Sequence, residues 1–291
     1  MNETEQRSGA VSEDVLLDVR GVSVEYRVRG GGRRRTRVLD DVSLTVRPGE
    51  TVGLVGESGS GKSTLGRAVL GLAPLAAGEV RLDGRVISGL TGAARRRLAG
   101  DLQVVFQDPQ GSLNPAMTVR DIVLEPVVAA GTEPADAERD LRTLLDQVHL
   151  PADALDRYPS EFSGGQRQRI AIARALVRRP KLIVCDEIVS ALDLTTQARI
   201  LDLLVEIQER TGVALLFTSH DLGVIRAISH RVAVLFRGSL LEFGDVRDVT
   251  GEPRDPYTRR LLMAAPVADP GRQRERRAAY RAEFPLATAG R

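Results

Sequence analysis

The segment GESGSGKST, Gly56 to Thr64, sets three glycines around a lysine and a run of hydroxyls. It fits G-x-x-x-x-G-K-[ST] as Gly56, Gly61, Lys62 and Ser63, with Glu57, Ser58, Gly59 and Ser60 between. Glycines at this spacing let backbone N–H groups wrap phosphate oxygens. Lys62 would then reach the terminal phosphates, and the Ser63 hydroxyl would ligate Mg2+. The plain alternative is an ordinary glycine-rich strand–helix turn. Against it, the segment follows an apolar strand and opens a helix, as a phosphate loop must. The chain has 41 basic residues, of which only Lys62 and Lys181 are lysines. In this loop a lysine suits phosphate as a compact point charge better than the wider arginine fork.

Further polar groups close apolar runs. LIVCDE ends in Asp186 and Glu187, which places two carboxylates at the carboxyl edge of a buried strand. Asp186 would hold Mg2+, usually through water, and Glu187 would polarise an attacking water. Two solvated acids at a strand end are the bland alternative. His220 follows VALLFTS and could meet a γ-phosphate, or simply end the strand. Gln107 ends another strand and means nothing alone. Tyr26 could stack on an adenine ring or serve the core. His149 and His230 carry no motif and read as structural. A second candidate cradle, FSGGQRQRI from Phe162 to Ile170, leads a serine and two glycines into a basic helix.

The elements that must position these residues alternate. Strand patterns run over 15–28, VLDDVSLTV, TVGLVG, GEVRLDG, 102–107, 181–187, 212–220 and 231–236. RGGGRRRTR, 29–37, reads as a solvated basic loop, with nucleic acid or anionic lipid headgroups as further options. Helical patterns cover about Lys62 to Gly71, most of 118–180, and about 195–210 and 221–229. AERDLRTLLDQVHL is strongly amphipathic. Strands alternating with helices predict an α/β core with a mostly parallel, doubly wound sheet. The expected organisation is a disordered tail over 1–14, a core domain over 15–245 with a helical insertion at about 108–180, and a C-terminal extension over 246–291.

Of the 291 residues, 42% are apolar and 27% charged, and the net charge of +2 is too small to argue for nucleic acid. The single cysteine, Cys185, excludes an internal disulfide and cysteine-rich metal sites. It fits a reducing compartment. No apolar run reaches membrane-spanning length, and the first residues lack a signal-peptide core.

In order, GESGSGKST, VVFQDPQ, FSGGQ, LIVCDE, SALD and TSH resemble the ATP-binding subunit of an ABC transporter over about residues 15–265. That resemblance implies a P-loop NTPase (RecA-like) core with an antiparallel β subdomain and an inserted helical subdomain. It implies that Tyr26 stacks on adenine, that Gly56 to Thr64 hold ATP, and that Gln107 binds Mg2+ and faces a membrane partner. Ser63 and Asp186 would be further Mg2+ ligands, Lys62 and Glu187 catalytic, and His220 a switch histidine. Ser163, Gly164, Gly165 and Gln166 would close over the ATP of a second ATPase subunit packed head to tail. Ser190 to Asp193 would lie at that interface. The implied partners are that subunit, two permeases and, indirectly, a solute-binding protein, on the cytoplasmic face of the membrane.

Two residues depart from the family pattern. Phe162 stands where Leu is usual, and Ile188 where Pro is usual, which would loosen the path into SALD. FQDPQGSLNP and RDPYTRRLLMAAPVADP resemble the oligopeptide/dipeptide importer branch, in the second of its two ATPases. Pro256 would open a short helix that stops at Pro266. The competing functions are a soluble ABC ATPase acting on nucleic acid or ribosomes, or import of nickel chelates or sugars.

Overall fold

The computed structural model describes residues 15–27, 35–131 and 135–265, with Gly271 and Arg274 beyond them. Strands β1 (Leu17–Arg27) and β2 (Arg35–Val46) precede β3 (Thr51–Val55), which leads through the glycine loop into α1 (Lys62–Val69). There follow β4 (Leu75–Leu82), β5 (Arg85–Val86), α2 (Gly92–Leu98) and β6 (Leu102–Val105). The helical stretch comprises α3 (Pro109–Ser112), α4 (Val119–Ala129), α5 (Ala135–Gln147) and α6 (Gly164–Leu176). The chain then alternates through β7 (Leu182–Asp186), α7 (Leu194–Thr211), β8 (Ala214–Thr218), α8 (Leu222–Ile228) and β9 (Arg231–Phe236). It continues with β10 (Ser239–Asp245), α9 (Val246–Gly251) and α10 (Pro256–Ala264).

The larger sheet has the order β10-β9-β3-β8-β7-β6. Its neighbours are parallel except β10, which runs antiparallel to β9. TVGLV and ALLFT are buried at every position, which is what a strand covered on both faces requires. The smaller sheet, β2-β1-β4-β5, is antiparallel throughout. One core lies between α1 and the two sheets, around Leu54, Leu65 and Leu17. The other joins the opposite face of the larger sheet to α4–α8, and takes in Tyr257 and Leu262 of α10.

Strand order positions the site. Because β8 lies between β3 and β7, the carboxyl ends of all three stand side by side, where an open α/β sheet offers its crevice. Thr218 is opposite both Leu54 and Asp186 in the register.

The structure moves several expected boundaries. β2 begins at Arg35, inside the expected 29–37 loop, because Arg35 to Arg37 pair with Arg27 to Glu25, and Arg37 lies 3.3 Å from Glu25. α5 stops at Gln147, and His149 turns the chain with φ 54. The 1–14 tail, Val28 of the first strand pattern, residues 29–34 of the basic loop, and the expected stop at Pro266 lie outside the described residues. Among the described residues, no helix is long and apolar enough to cross a membrane.

Candidate functional site

β3 is buried and rigid, so the turn after it can project a loop over the sheet edge. Gly56, Gly59 and Gly61 have φ 155, 79 and 110, values that side-chain-bearing residues rarely adopt. A Cβ on Gly56 would collide with the Leu235 carbonyl, so the loop closes this tightly only with glycine there. Lys62 curls back beneath it, 4% exposed, and its ammonium donates to the carbonyls of Gly56 at 2.8 Å and Glu57 at 3.1 Å. Burial pushes the Lys62 ammonium below the ordinary lysine range, while Glu187 and then Asp186 oppose that shift.

The acids arrive from β7. Asp186 Oδ1 accepts from the Ser63 hydroxyl at 2.9 Å and the Thr218 hydroxyl at 2.8 Å. Glu187 adopts φ 50, an uncommon conformation for a residue with a side chain. Its N–H is fastened by the Thr218 hydroxyl at 3.0 Å and carbonyl at 3.2 Å. Its carboxylate thereby lies between Lys62 Nζ at 3.9 Å and His220 Nδ1 at 3.4 Å. One carboxylate is thus set between a buried cation and an exposed imidazole, one residue beyond an acid that faces a hydroxyl. This arrangement can hold phosphate, hard cations and an activated water. Ser63, Asp186 and incoming phosphate oxygens are the sparse oxygen set that suits Mg2+, which seldom uses an all-protein cage. The buried Ser60 hydroxyl has no partner among the described residues, in keeping with a loop built to receive more acceptors.

Gln107 donates its amide to Ser190 Oγ at 3.3 Å, and Ser190 in turn donates to the Glu187 carbonyl at 2.9 Å. Tyr26 is exposed on β1, which removes the core reading of that ring. The second glycine segment stands apart. Ser163 caps α6 by accepting the Gln166 N–H, and Gln166 returns the bond to the Ser163 N–H. A Cβ on Gly164 would meet Leu192, and one on Gly165 would meet Thr196. Among the described residues, no hydrogen bond or ion pair joins this segment to Gly56–Thr64. Asp193 caps α7, and its carboxyl is held below the usual range by the hydroxyl and N–H of Thr196.

Both departures from the pattern are packed. Ile188 is buried in the larger core, which ties down a segment that proline would otherwise stiffen. Phe162 is buried beneath Arg157, 4.5 Å from the ring centroid. Cys185 is enclosed, and burial pushes its thiol up to about 12. His230 accepts the Thr51 N–H at 3.0 Å, and His149 lies 3.3 Å from Glu206. Sequence reasoning missed the organising role of Thr218. The residue lies in the quoted TSH segment, but its bond to Glu187 spans 31 positions.

A family model described as ABC transporter matches residues 39–190. The glutathione import ATP-binding protein GsiA of Pectobacterium atrosepticum is 46% identical over 266 residues, covering 89% of this chain and 43% of that protein. GsiA of Escherichia coli K12 is 44% identical over 285 residues, covering 96% and 46%. The chain spans about half the length of these curated relatives. Among solved structures, cbiO1 from Clostridium perfringens, part of the ABC transporter complex cbiONQ, superposes with TM-score 0.72 at 27% identity, covering 82% of this chain and 92% of that one. A dimeric post-hydrolysis structure of the ATP-binding cassette MJ0796, bound to ADP and Pi, gives 0.69 at 29% identity, covering 80% and 99%. The sheet order, the strand-end acids and these likenesses agree, and the chain belongs to the ABC transporter family.

Proposed function

We propose that this chain is the ATP-hydrolysing motor subunit of an importer for peptide-type solutes. The observation that carries the chemistry is the Glu187 carboxylate, set between Lys62 and His220 and one residue beyond Asp186. Lys62 exchanges its carbonyl partners for terminal phosphate oxygens. Glu187 takes the proton of the attacking water, and His220 steadies that carboxylate and the γ-phosphate. Ser63 and Asp186, with Gln107, would hold Mg2+, which when bound would supply positive charge against the phosphates. Tyr26 offers its exposed ring to adenine.

Ser163 to Gln166 and Asp193 complete the site of a second ATPase subunit, so each ATP is held across a head-to-tail interface. The dimeric MJ0796 cassette supports the pairing of two such subunits. Two permeases and a solute-binding protein complete the transporter, with this chain on the cytoplasmic membrane face. A peptide-type solute is supported by relatives named for glutathione import and by DPQGSLNP and DPYTRRLLMAAP in this chain.

The test is phosphate release by the full chain with Mg·ATP, alone and with a partner ATPase. Glu187→Gln keeps the shape and removes the base. Turnover should fall by about 100- to 10,000-fold with ATP affinity retained. Undiminished turnover would place the base elsewhere.

A further inference from the structure

The peptide group joining Gly56 to Glu57 is gripped at both ends. Its carbonyl accepts the Lys62 ammonium at 2.8 Å, and its N–H donates to the Tyr257 hydroxyl at 3.1 Å. Tyr257 is 200 residues from Glu57 and lies on α10, in the C-terminal extension. We propose that Tyr257 is a positioning residue of the phosphate loop, and that through it α10 couples the C-terminal extension to nucleotide binding; this rests on the ATPase reading above.

The support behind Tyr257 is rigid. Its ring is 8% exposed and lies 4.2 Å, centroid to centroid, from Phe236 at the end of β9. Asp255 caps α10 by accepting the Tyr257 N–H at 2.7 Å, and Pro256 presets the first turn. Glu242 of β10 accepts the N–H groups of both Arg254 and Asp255, which fixes where α10 starts. One turn further, Arg260 lies 3.8 Å from the Glu57 carboxylate, so two residues on one face of α10 reach the same loop residue. The β9–β10 turn adds a third tie, because the Gly238 N–H donates to the Ser60 carbonyl at 3.0 Å. Burial pushes the Tyr257 phenol up from its ordinary range, so at neutral pH it remains a neutral hydroxyl whose oxygen accepts.

The consequence follows from what Lys62 must do. Phosphate draws the ammonium away from the Gly56 carbonyl, and one of the two grips on that peptide is lost. The Tyr257 hydroxyl retains the other, so the loop keeps its orientation as the ligand arrives. Without it the peptide is free to rotate, and binding must order it again.

Tyr257→Phe in the full chain keeps the ring and its stacking while deleting the hydroxyl. Loss of one such bond should raise the Kd for ADP about 3- to 10-fold, with kcat at saturating ATP within about twofold of the parent. In nucleotide-free protein, amide exchange should quicken over residues 56–59 while α10 keeps its protection. Arg260→Ala, which spares the hydroxyl, should shift affinity by less than about twofold. Unchanged affinity and unchanged exchange over 56–59 would overturn the proposal. So would exchange that quickens equally through α10 and β10, because the hydroxyl would then be merely structural. An Arg260→Ala effect larger than that of Tyr257→Phe would move the coupling to the side-chain pair and overturn it as well. A parent chain that binds no nucleotide defeats the ATPase reading, whereas exchange at Glu57 still decides the role of Tyr257.

Discussion

The helices that follow the two glycine segments, α1 and α6, treat their first N–H groups in opposite ways. α1 starts from Gly61 with no side chain capping it, over a buried lysine and beside two acids. α6 starts from Ser163 inside a capping box, so its own Ser163 and Gln166 claim N–H groups that a ligand would otherwise use. Ser163 and Gly164 are exposed, and no lysine or acid of the chain is bonded to that end among the described residues. The first loop has donors, a cation and a base within one chain. The second has donors and glycines for close approach, and lacks the rest. That difference is what the proposed sharing of ATP between two subunits would require of the second loop.

The largest effect should come from stripping the first loop of its charge. Lys62→Ala removes the buried ammonium that the proposed mechanism turns toward phosphate. Two charge-assisted bonds put the loss at about 3–6 kcal/mol, or roughly 100- to 20,000-fold in ATP affinity. Calorimetry measures it directly. Lys62→Arg should not restore binding, since the planar fork cannot follow the same path beneath the Gly56 and Glu57 carbonyls. Retained affinity in Lys62→Ala would erase the contrast between the two loops.

The second loop should fail differently. Ser163→Arg places bulk and charge where two subunits would meet, and leaves Gly56–Thr64 untouched. ATP affinity of the isolated subunit should hold, while turnover falls by roughly 100-fold through misplacement of the closing surface. Ser163→Ala loses the same helix cap without the bulk, so the gap between the two variants separates interface damage from cap loss. Mixing Ser163→Arg with Lys62→Ala protomers sharpens the comparison. If sites are shared across subunits, a mixed pair has one intact site and one doubly damaged. Up to about a quarter of parental turnover should return if the sites act independently. No recovery in mixtures shown to exchange subunits would favour each loop serving its own chain.

The same contrast governs what was legible in the sequence. Lys62, Ser63, Asp186 and Glu187 could be read because local spacing carries them: a loop at a strand-to-helix turn, and acids closing a buried run. The buried strands β3, β7 and β8 were legible for the same reason. β10 was not, since SLLEFG is half-buried at every position and lacks a clean period. α2 was also hidden, because GAARRRL fully buries no residue and its three consecutive arginines leave only Leu98 to pack against the core. Thr218 and Tyr257 were invisible as site residues for another reason. Their partners are distant in sequence, and only the sheet order and the docking of α10 bring them together. The peptide-branch resemblance of DPYT was visible, but the bond its tyrosine makes was not.

The smallest effect tests how the second loop is held. Gly165 lies in the first turn of α6, and a Cβ there would overlap Thr196 Cγ2 in α7. Thr196 cannot turn away freely, because its hydroxyl donates to Asp193 at 2.6 Å. Alanine should favour the helix by up to about 1 kcal/mol over glycine, and less near a terminus. Overpacking against a fixed neighbour costs about 1–3 kcal/mol, so the clash should win. Gly165→Ala should therefore destabilise the chain by about 1 kcal/mol in urea unfolding. Thr196→Ser keeps the hydroxyl and deletes the methyl in the way. In that background the same Gly165→Ala change meets no clash, leaving only the helix preference, so its sign should reverse to neutral or slightly stabilising. Equal destabilisation in both backgrounds would mean that Thr196 is not what requires glycine. The glycine would then be explained by close approach to a ligand or a second subunit, and the two loops would be more alike than their caps suggest.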